Sequence, residues 1–308
     1  MTGLAAADGP APAHNPAPAD DPARADGPAP GDNPAAAFDA EQRRTWARQA
    51  EDYARTFALL CAGPVPDVLD AIGAGPGLRI LDAGTGPGTL AAACLARGAT
   101  ATAFDADPTM AALARTAAPD AGVLVAAIPD LPFGDSRFDA CAANFLLDHV
   151  GAPGAALTEL ARVTKPGGRI AVTAWSAVPP MATALFGLAL KGAGAVRPPA
   201  RRGRPTRHDF EHTEAGLATL MRDSGLDGVE CRAVAWTLVV ERDVWWSGPV
   251  SGVAGAGYFH TSQTPEVRAE AERRFTRLAA VFEREDGLLA LPAAALLGVG
   301  TVPGADRG

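Results

Sequence analysis

The chain has 308 residues, 48% of them hydrophobic and 20% charged, with a formal net charge of −8 and four cysteines. That length suffices for one large α/β domain or two modest ones, and the acidic balance argues against nucleic acid, whose partners carry a basic face. Cys61, Cys94, Cys141 and Cys231 form no CxxC pair, so neither a disulfide framework nor a metal site is expected. No basic stretch precedes an apolar one near Met1, and the apolar runs Met181–Leu190 and Leu288–Leu297 are too short, or too broken by Pro292, to span a bilayer. A soluble cytoplasmic protein with no membrane partner is expected; the oligomeric state is not legible.

Residues 1–37 stand apart. DGPAPAHNPAPA at Asp8–Ala19 returns as DGPAPGDNPAAA at Asp26–Ala37, and eight prolines fall in the stretch. Such a segment buries too little apolar surface to offset its ordering entropy, and it reads as a disordered Pro/Ala arm. Folded sequence is expected from Phe38. Glu41–Leu60 sets Trp46, Tyr53 and Phe57 among charges at near-helical spacing, and Pro66–Ile72 reads as a second, short helix. Residues 38–77 are thus a helical N-terminal cap.

Residues 78–176 alternate strand and helix. The strands are Arg79–Ala83, Thr100–Asp105, Val123–Ala127, Phe138–Asn144 and, after the turn Lys165-Pro-Gly-Gly168, Arg169–Trp175. The helices are Thr89–Arg97, Pro108–Ala117 and Ala155–Val163. Alternation through short loops implies a parallel sheet covered on both faces. Residues 177–308 are less regular. They hold a Pro/Arg-rich loop at Pro198–Arg207, an amphipathic helix at Thr213–Ser224 and a long strand at Val229–Val240. A Gly-rich stretch at Asp243–Gly257, a charged helix at Pro265–Glu285 and a closing strand at Leu296–Val302 follow.

Chemistry enters at Ile80-Leu-Asp-Ala-Gly-Thr-Gly-Pro-Gly88, a strand running through a glycine turn into a helix. Glycines let the backbone turn sharply and approach a ligand, and the helix start offers N–H groups. Asp105 ends the next strand, where a carboxylate can accept from both hydroxyls of a ribose. A dinucleotide fingerprint, GxGxxG, requires glycine at 89; Thr89 stands there. Asp82 sits where a pyrophosphate would lie and suits a ligand with an ammonium group better. A nicotinamide-dependent oxidoreductase using NAD is therefore the weaker reading.

LDAGTGPG, FDADPTM, LPFGDSRFD and ARVTKPGGRIAVTAW, in that order, resemble the class I S-adenosylmethionine-dependent methyltransferases that act on small molecules. The resemblance covers most of residues 40–303. It implies a Rossmann-like, doubly wound, seven-stranded and mostly parallel sheet with an antiparallel last strand, and methyl transfer from S-adenosylmethionine to an O, N or C nucleophile, leaving S-adenosylhomocysteine. By the same resemblance Ala83, Gly84, Thr85 and Gly86 line the methionine moiety with Asp82 near it. Asp105 takes the ribose hydroxyls, Ala106 lies against the adenine, and Asn144 and Phe145 face the transferred methyl. Many members carry an Asp or Glu after the third strand for the adenine amino group. Ala127 and Ile128 stand there here, so adenine recognition falls to backbone groups or to Asp130, the nearest carboxylate.

Other candidates are read from the residues alone. His149 is the candidate catalytic base, since imidazole titrates near neutrality; the alternative is a histidine fixing its turn. Tyr53 is a candidate contact to cofactor or substrate, with Trp46 and Phe57 packing beside it. Trp245, Trp246, Tyr258 and Phe259 either line an apolar substrate pocket or pack the core. Arg201, Arg202, Arg204 and Arg207 either attract an anionic substrate or form a solvated loop. His208, His212 and His260 are weaker candidates. After the fourth strand the chain reads Asn144-Phe-Leu-Leu147, unlike the Asn/Asp-Pro-Pro-aromatic of enzymes that methylate exocyclic base nitrogens. A non-methylating member that keeps the cofactor pocket is the remaining alternative.

Overall fold

The computed structural model describes residues 33–198 and 210–304. Four helices come first: α1 (Pro34–Trp46), α2 (Ala50–Arg55), α3 (Phe57–Cys61) and α4 (Val65–Ala71). Helix α1 begins where the Asn33 side chain accepts from the N–H groups of Ala35 and Ala36, with Pro34 in the first turn. Both are helix-start signals. Residues 34–37, assigned by sequence to the Pro/Ala arm, are therefore its first turn; residues 1–32 lie outside the described residues. The single helix expected over 41–60 is also broken. Thr56 leaves helical geometry at φ −127° and ψ −88°, and its hydroxyl donates to the Asp52 carbonyl.

The alternating core follows as β1 (Arg79–Ala83), α5 (Thr89–Ala96), β2 (Thr100–Asp105), α6 (Pro108–Ala117), β3 (Gly122–Val125), β4 (Phe138–Asn144), α7 (Pro153–Val163) and β5 (Thr164–Ala174). Then come α8 (Met181–Gly192), α9 (Glu214–Asp223), β6 (Asp227–Val240), α10 (Arg242–Val250), α11 (Ala254–Thr261), α12 (Pro265–Ala279) and β7 (Leu289–Thr301). The seven strands form one sheet in the order β3-β2-β1-β4-β5-β7-β6. Strands β1 to β5 are parallel, and β7 runs antiparallel to both β5 and β6. This is the Rossmann-like sheet with an antiparallel last strand.

Each sheet face carries its own core. Ile80, Ala140 and Ala142 pack against Val68, Leu69, Leu90 and Cys94 of α4 and α5. Leu81, Cys141, Ile170 and Val172 pack against Leu157, Leu160, Leu217 and Met221 of α7 and α9. Small alanines in the inner strands let the helices sit close, as a sheet buried on both faces requires.

A third core lies beyond the sheet. β7 pairs with β5 only over Leu296–Thr301, whereas β6 continues to pair with its Leu289–Ala295 segment. This overhang brings Leu238, Leu289 and Leu291 to Phe186 and Leu190 of α8 and to Trp245 of α10. Pro292 stands on the overhang opposite Thr237, where β5 has ended and a missing N–H costs no β5 ladder bond. The strand expected only from residue 296 thus starts at 289. The Gly-rich stretch over 243–257 holds α10 and the start of α11, and Trp245 and Trp246, buried at 0% and 5% exposure, fix α10 on this core.

Candidate active site

A cavity of about 470 Å³ opens over the carboxyl ends of β1, β2, β4 and β5, beneath α1, α2 and the start of α11. The strand order reverses between β1 and β4, and open α/β sheets bind ligands in the crevice at such a point.

The β1–β2 side is built from the glycine turn. Gly84 and Gly86 take φ values of +67° and +54°, a region costly for side-chain-bearing residues, and both line the cavity. A Cβ on Gly86 would enter the space before Tyr53, 3.9 Å from its Cε1. The Gly86 N–H donates to Asp105 Oδ2 at 2.9 Å, and the Asp107 N–H donates to Oδ1 at 2.9 Å. The carboxylate is thereby held between the two turns with a second lone pair on each oxygen. Burial raises the Asp105 carboxyl above the usual range, and the backbone donors partly offset this. Ala106, Ala127 and Ile128 line the same end.

Asp82, Ala83 and Thr85 do not reach the cavity wall. Asp82 is 1% exposed and accepts from Thr85 Oγ1 at 2.6 Å, which ties the turn to the end of β1. Burial pushes the Asp82 carboxyl up to about 7. These three residues hold the turn from beneath. Asp130 is exposed and also off the wall.

The β4–β5 side begins with Asn144, whose Nδ2 donates to the Cys61 carbonyl at 2.8 Å and whose Oδ1 accepts from Thr173 Oγ1 at 2.7 Å. Phe145 follows at φ +59°, uncommon for a bulky residue, and donates its N–H to the Thr173 hydroxyl. Its ring stacks on Trp175 at 4.1 Å. A short turn, Leu147–His149, then brings Asp148 and His149 to the wall. His149 Nδ1 lies 3.2 Å from Gln42 Oε1, and its ring meets Trp46 edge-on at 5.0 Å.

Helix α1 closes this side with Asp39, Gln42, Arg43 and Trp46. Asp39 Oδ1 accepts the Gly151 N–H at 2.6 Å, and burial raises the Asp39 carboxyl. Gly151 permits that docking, since a Cβ there would lie 2.3 Å from the Ala35 carbonyl oxygen. Tyr53 and Cys61 both line the cavity. Burial raises the phenol well above its ordinary value and pushes the thiol up to about 12, so both stay protonated near neutrality.

Among the sequence candidates, the structure brings Tyr53, Gly84, Gly86, Asp105, Ala106, Ala127, Ile128, Asn144, Phe145 and His149 to one cavity. Trp245 and Trp246 belong to the third core, and Tyr258 and Phe259 are off the wall. His260 packs edge-on against Trp246, and His212 lies beside Trp175. Arg201, Arg202, Arg204, Arg207 and His208 lie outside the described residues. The sequence reading missed Asp39, Gln42 and Arg43, although 39, 42, 43 and 46 follow the i, i+3, i+4, i+7 stripe of one helix face. It also missed Asp148, Trp175 and Ala254–Ala256, for which no local signal exists. Among the described residues no helix is long and apolar enough to cross a membrane.

Comparison with known proteins follows this geometry. A family described as "Methyltransferase domain" matches residues 81–172. A demethylmenaquinone methyltransferase of Beutenbergia cavernae is 33% identical over 180 residues, covering 56% of this chain and 75% of that protein. Another, from Renibacterium salmoninarum, is 38% identical over 109 residues, covering 35% of this chain and 46% of that protein. Among solved structures, phospholethanolamine N-methyltransferase 2 of Haemonchus contortus, in complex with phosphomonomethylethanolamine and S-adenosylhomocysteine, shares the fold. Its TM-score is 0.51 at 14% identity, over 86% of this chain and 60% of that one.

Proposed function

This chain belongs to the class I S-adenosylmethionine-dependent methyltransferases, and we propose that its cavity holds S-adenosylmethionine at the β1–β2 end and a small-molecule acceptor at the β4–β5 end. The observation that carries this reading is the Asp105 carboxylate, fixed by the Gly86 and Asp107 N–H groups on the cavity wall. A glycine cradle that a Cβ would fill, next to a carboxylate with acceptor capacity, fits a nucleoside whose ribose presents two hydroxyls. Ala106, Ala127 and Ile128 would flank the adenine, whose amino group then meets backbone rather than a carboxylate. Gly84, Gly86 and Tyr53 would surround the methionine end.

When bound, the cofactor supplies a methyl on a positively charged sulfur, with a neutral sulfide as leaving group. The protein's part is to align, to exclude water and to take a proton where the acceptor carries one. Helix α1 and the start of α11 cover the cavity and exclude water. Phe145, held in its unusual backbone geometry by Thr173, sets the boundary between the two ends. His149, on the cavity wall with its Nδ1 3.2 Å from Gln42 Oε1, is the group that would take a proton from the acceptor. The demethylmenaquinone methyltransferases among the relatives support a small-molecule acceptor at this end.

Calorimetric titration with S-adenosylmethionine, S-adenosylhomocysteine and NADH tests the reading. Binding of the first two and not the third is expected; binding of NADH alone would overturn it. His149→Ala is expected to lower turnover while cofactor affinity is kept.

A further inference from the structure

We propose that helix α11 is a proton-operated cover of the cavity: charging His260 unseats the helix and opens the acceptor end.

Helix α11 is eight residues long, and its first three, Ala254–Ala256, line the cavity. Two glutamines moor its ends. Gln49, from the turn between α1 and α2, donates to the Gly252 carbonyl at 2.7 Å and accepts from the Ala254 N–H at 3.3 Å. Gln263 donates to the Val196 and Phe259 carbonyls and accepts from the Val196 N–H. The chain enters the helix through Gly252 at φ +89° and Ala254 at φ +57°, the second uncommon for a residue with a side chain.

Between the moorings little apolar surface holds the helix down on α8 and α10. Tyr258 is exposed, Ala256 and Phe259 are half-buried, and buried Gly257 has no side chain. His260, 4% exposed, is the one side chain of α11 that is fully buried. Its ring meets Trp246 of α10 edge-on at 5.5 Å, and its Nδ1 is enclosed without a hydrogen-bond partner among the described residues.

This seat suits a neutral imidazole. An imidazolium carries two N–H donors and a charge, and burying them unpaired costs far more than burying the neutral ring. The charged group whose field reaches His260 is Arg268 of α12, which has the same sign. No carboxylate among the described residues offsets it. On α10, Asp243 pairs with Arg242; on α12, Glu266 is exposed and Glu270 is taken by Arg273, Arg274 and Arg277. Lys191, the charged residue of α8, is exposed. Burial and then the Arg268 guanidinium hold the His260 pKa below its ordinary 6.5.

A helix lifted into solvent returns His260 to that ordinary value. Below it the lifted form binds a proton that the seated form refuses, so the balance moves towards lifting as pH falls. A short helix with one buried side chain can open without the rest of the fold. Because Ala254–Ala256 are part of the wall, lifting uncovers the acceptor end.

The test is amide exchange of the full chain at pH 7.5 and 5.5, expressed as protection so that the intrinsic pH dependence of exchange is removed. Protection over residues 254–261 is expected to fall by up to about tenfold between the two, the factor supplied by an imidazole that titrates at its ordinary value once lifted. Residues 89–105 are expected to lose none. His260→Gln and His260→Leu cannot take the proton and should remove the fall; if one does not fold, the other decides. The release rate of S-adenosylhomocysteine is expected to rise in step in the wild type and to stay level in the variants. Unchanged protection over 254–261 in the wild type, or a fall that persists in a folded variant, would overturn the proposal. Exchange that responds while release does not would overturn the opening of the cavity. A His260 imidazole that titrates at or above 6.5 in the wild type, read by nuclear magnetic resonance, would overturn it without recourse to any variant. Exchange needs no ligand, so failure of S-adenosylhomocysteine to bind would sink the methyltransferase reading of the cavity and leave exchange to decide on α11.

Discussion

At the β1–β2 end of the cavity the polar groups come from one continuous stretch, Gly84 to Asp107, whereas the β4–β5 end draws on α1, the turn after β4, the segment after β5 and the start of α11, from Asp39 to Ala256. The first end is made of backbone: glycine turns at positive φ and two N–H groups closing on Asp105. The second is made of side chains from α1, which docks on the segment after β4 through Gly151 and His149, and from segments that meet the third core at Tyr53, Phe57, Trp175 and Ala256. Backbone sites are local and depend on short spacings. Side-chain sites assembled over a cap depend on every packing contact that holds the cap. Perturbations of the cap should therefore act first on the acceptor end, and perturbations of the turns on the cofactor end.

The largest expected effect tests that dependence in the cap core. Phe186 of α8 is fully buried and packs against Phe57, Trp245, Trp246 and Phe275. Phe186→Ala should cost about 3–5 kcal/mol of stability, the transfer and cavity cost of losing a buried ring, read as a lowered denaturation midpoint in urea. A loss below roughly 1 kcal/mol would mean the cap core collapses around the gap and is less closely packed than the aromatic contacts indicate.

This contrast also explains what the sequence disclosed. Ile80–Gly88 and Asp105 were legible because a parallel strand, a glycine turn and a carboxylate at the next strand's end are one local pattern. The sheet was legible for the same reason: each β–α unit carries its own apolar period, and α6 has its own cap in Asp107. Asp148 was passed over beside His149 because its partners, Trp175 and His212, are distant in the chain. Ala254–Ala256 carry no chemical signature at all; they line the cavity only because α10 is fixed by Trp245 and α11 follows it. Within the Gly-rich stretch 243–257, Gly248 serves close packing against Phe57. The break at Thr56 was hidden because the residues on either side remain good helix formers.

The next effect sharpens the backbone side. Asp82 keeps its proton in the folded protein up to about pH 7, whereas an unfolded chain releases it near 3.9. Between those values the folded state binds more protons, so stability is fullest at the acid end of the window and falls as pH rises towards about 7. The loss is on the order of 3–4 kcal/mol by the size of the shift. Asp82→Asn, whose amide oxygen can still accept the Thr85 hydroxyl, should flatten this part of the stability–pH curve. An unchanged slope would place the titration elsewhere, with Asp105 the next buried carboxyl raised in the same direction. Because the group is buried in the free protein, a cationic ligand settling over the turn should favour its ionised form, and cofactor binding should release protons at neutral pH. Calorimetry in buffers of different ionisation enthalpy reads that release.

Asp105→Ala follows in size. Removing the carboxylate that Gly86 and Asp107 hold should weaken cofactor binding by about 1.5–3 kcal/mol, the scale of hydrogen bonds to a charged group. Unchanged cofactor affinity would take Asp105 out of the site.

The smallest effect concerns Asn33, and it shows how the cap depends on its first residue. Asn33 accepts from Ala35 and Ala36 and so satisfies N–H groups that a helix start leaves without partners. Asn33→Ala should cost about 1 kcal/mol, and the loss should be felt locally, because the first turn of a helix opens without the rest of the protein. Amide exchange over residues 35–40 should quicken by roughly fivefold, the factor that 1 kcal/mol supplies, while residues 80–105 keep their protection. Asp39 lies just past that turn with its hydrogen bond to Gly151, and Gln42 lies one turn on with its contact to His149. Opening at Asn33 therefore reaches the acceptor wall through α1 before it reaches any glycine of the cofactor turn. If exchange quickened equally over 80–105, helix α1 would be an integral part of the central fold rather than a cover laid over one end of it.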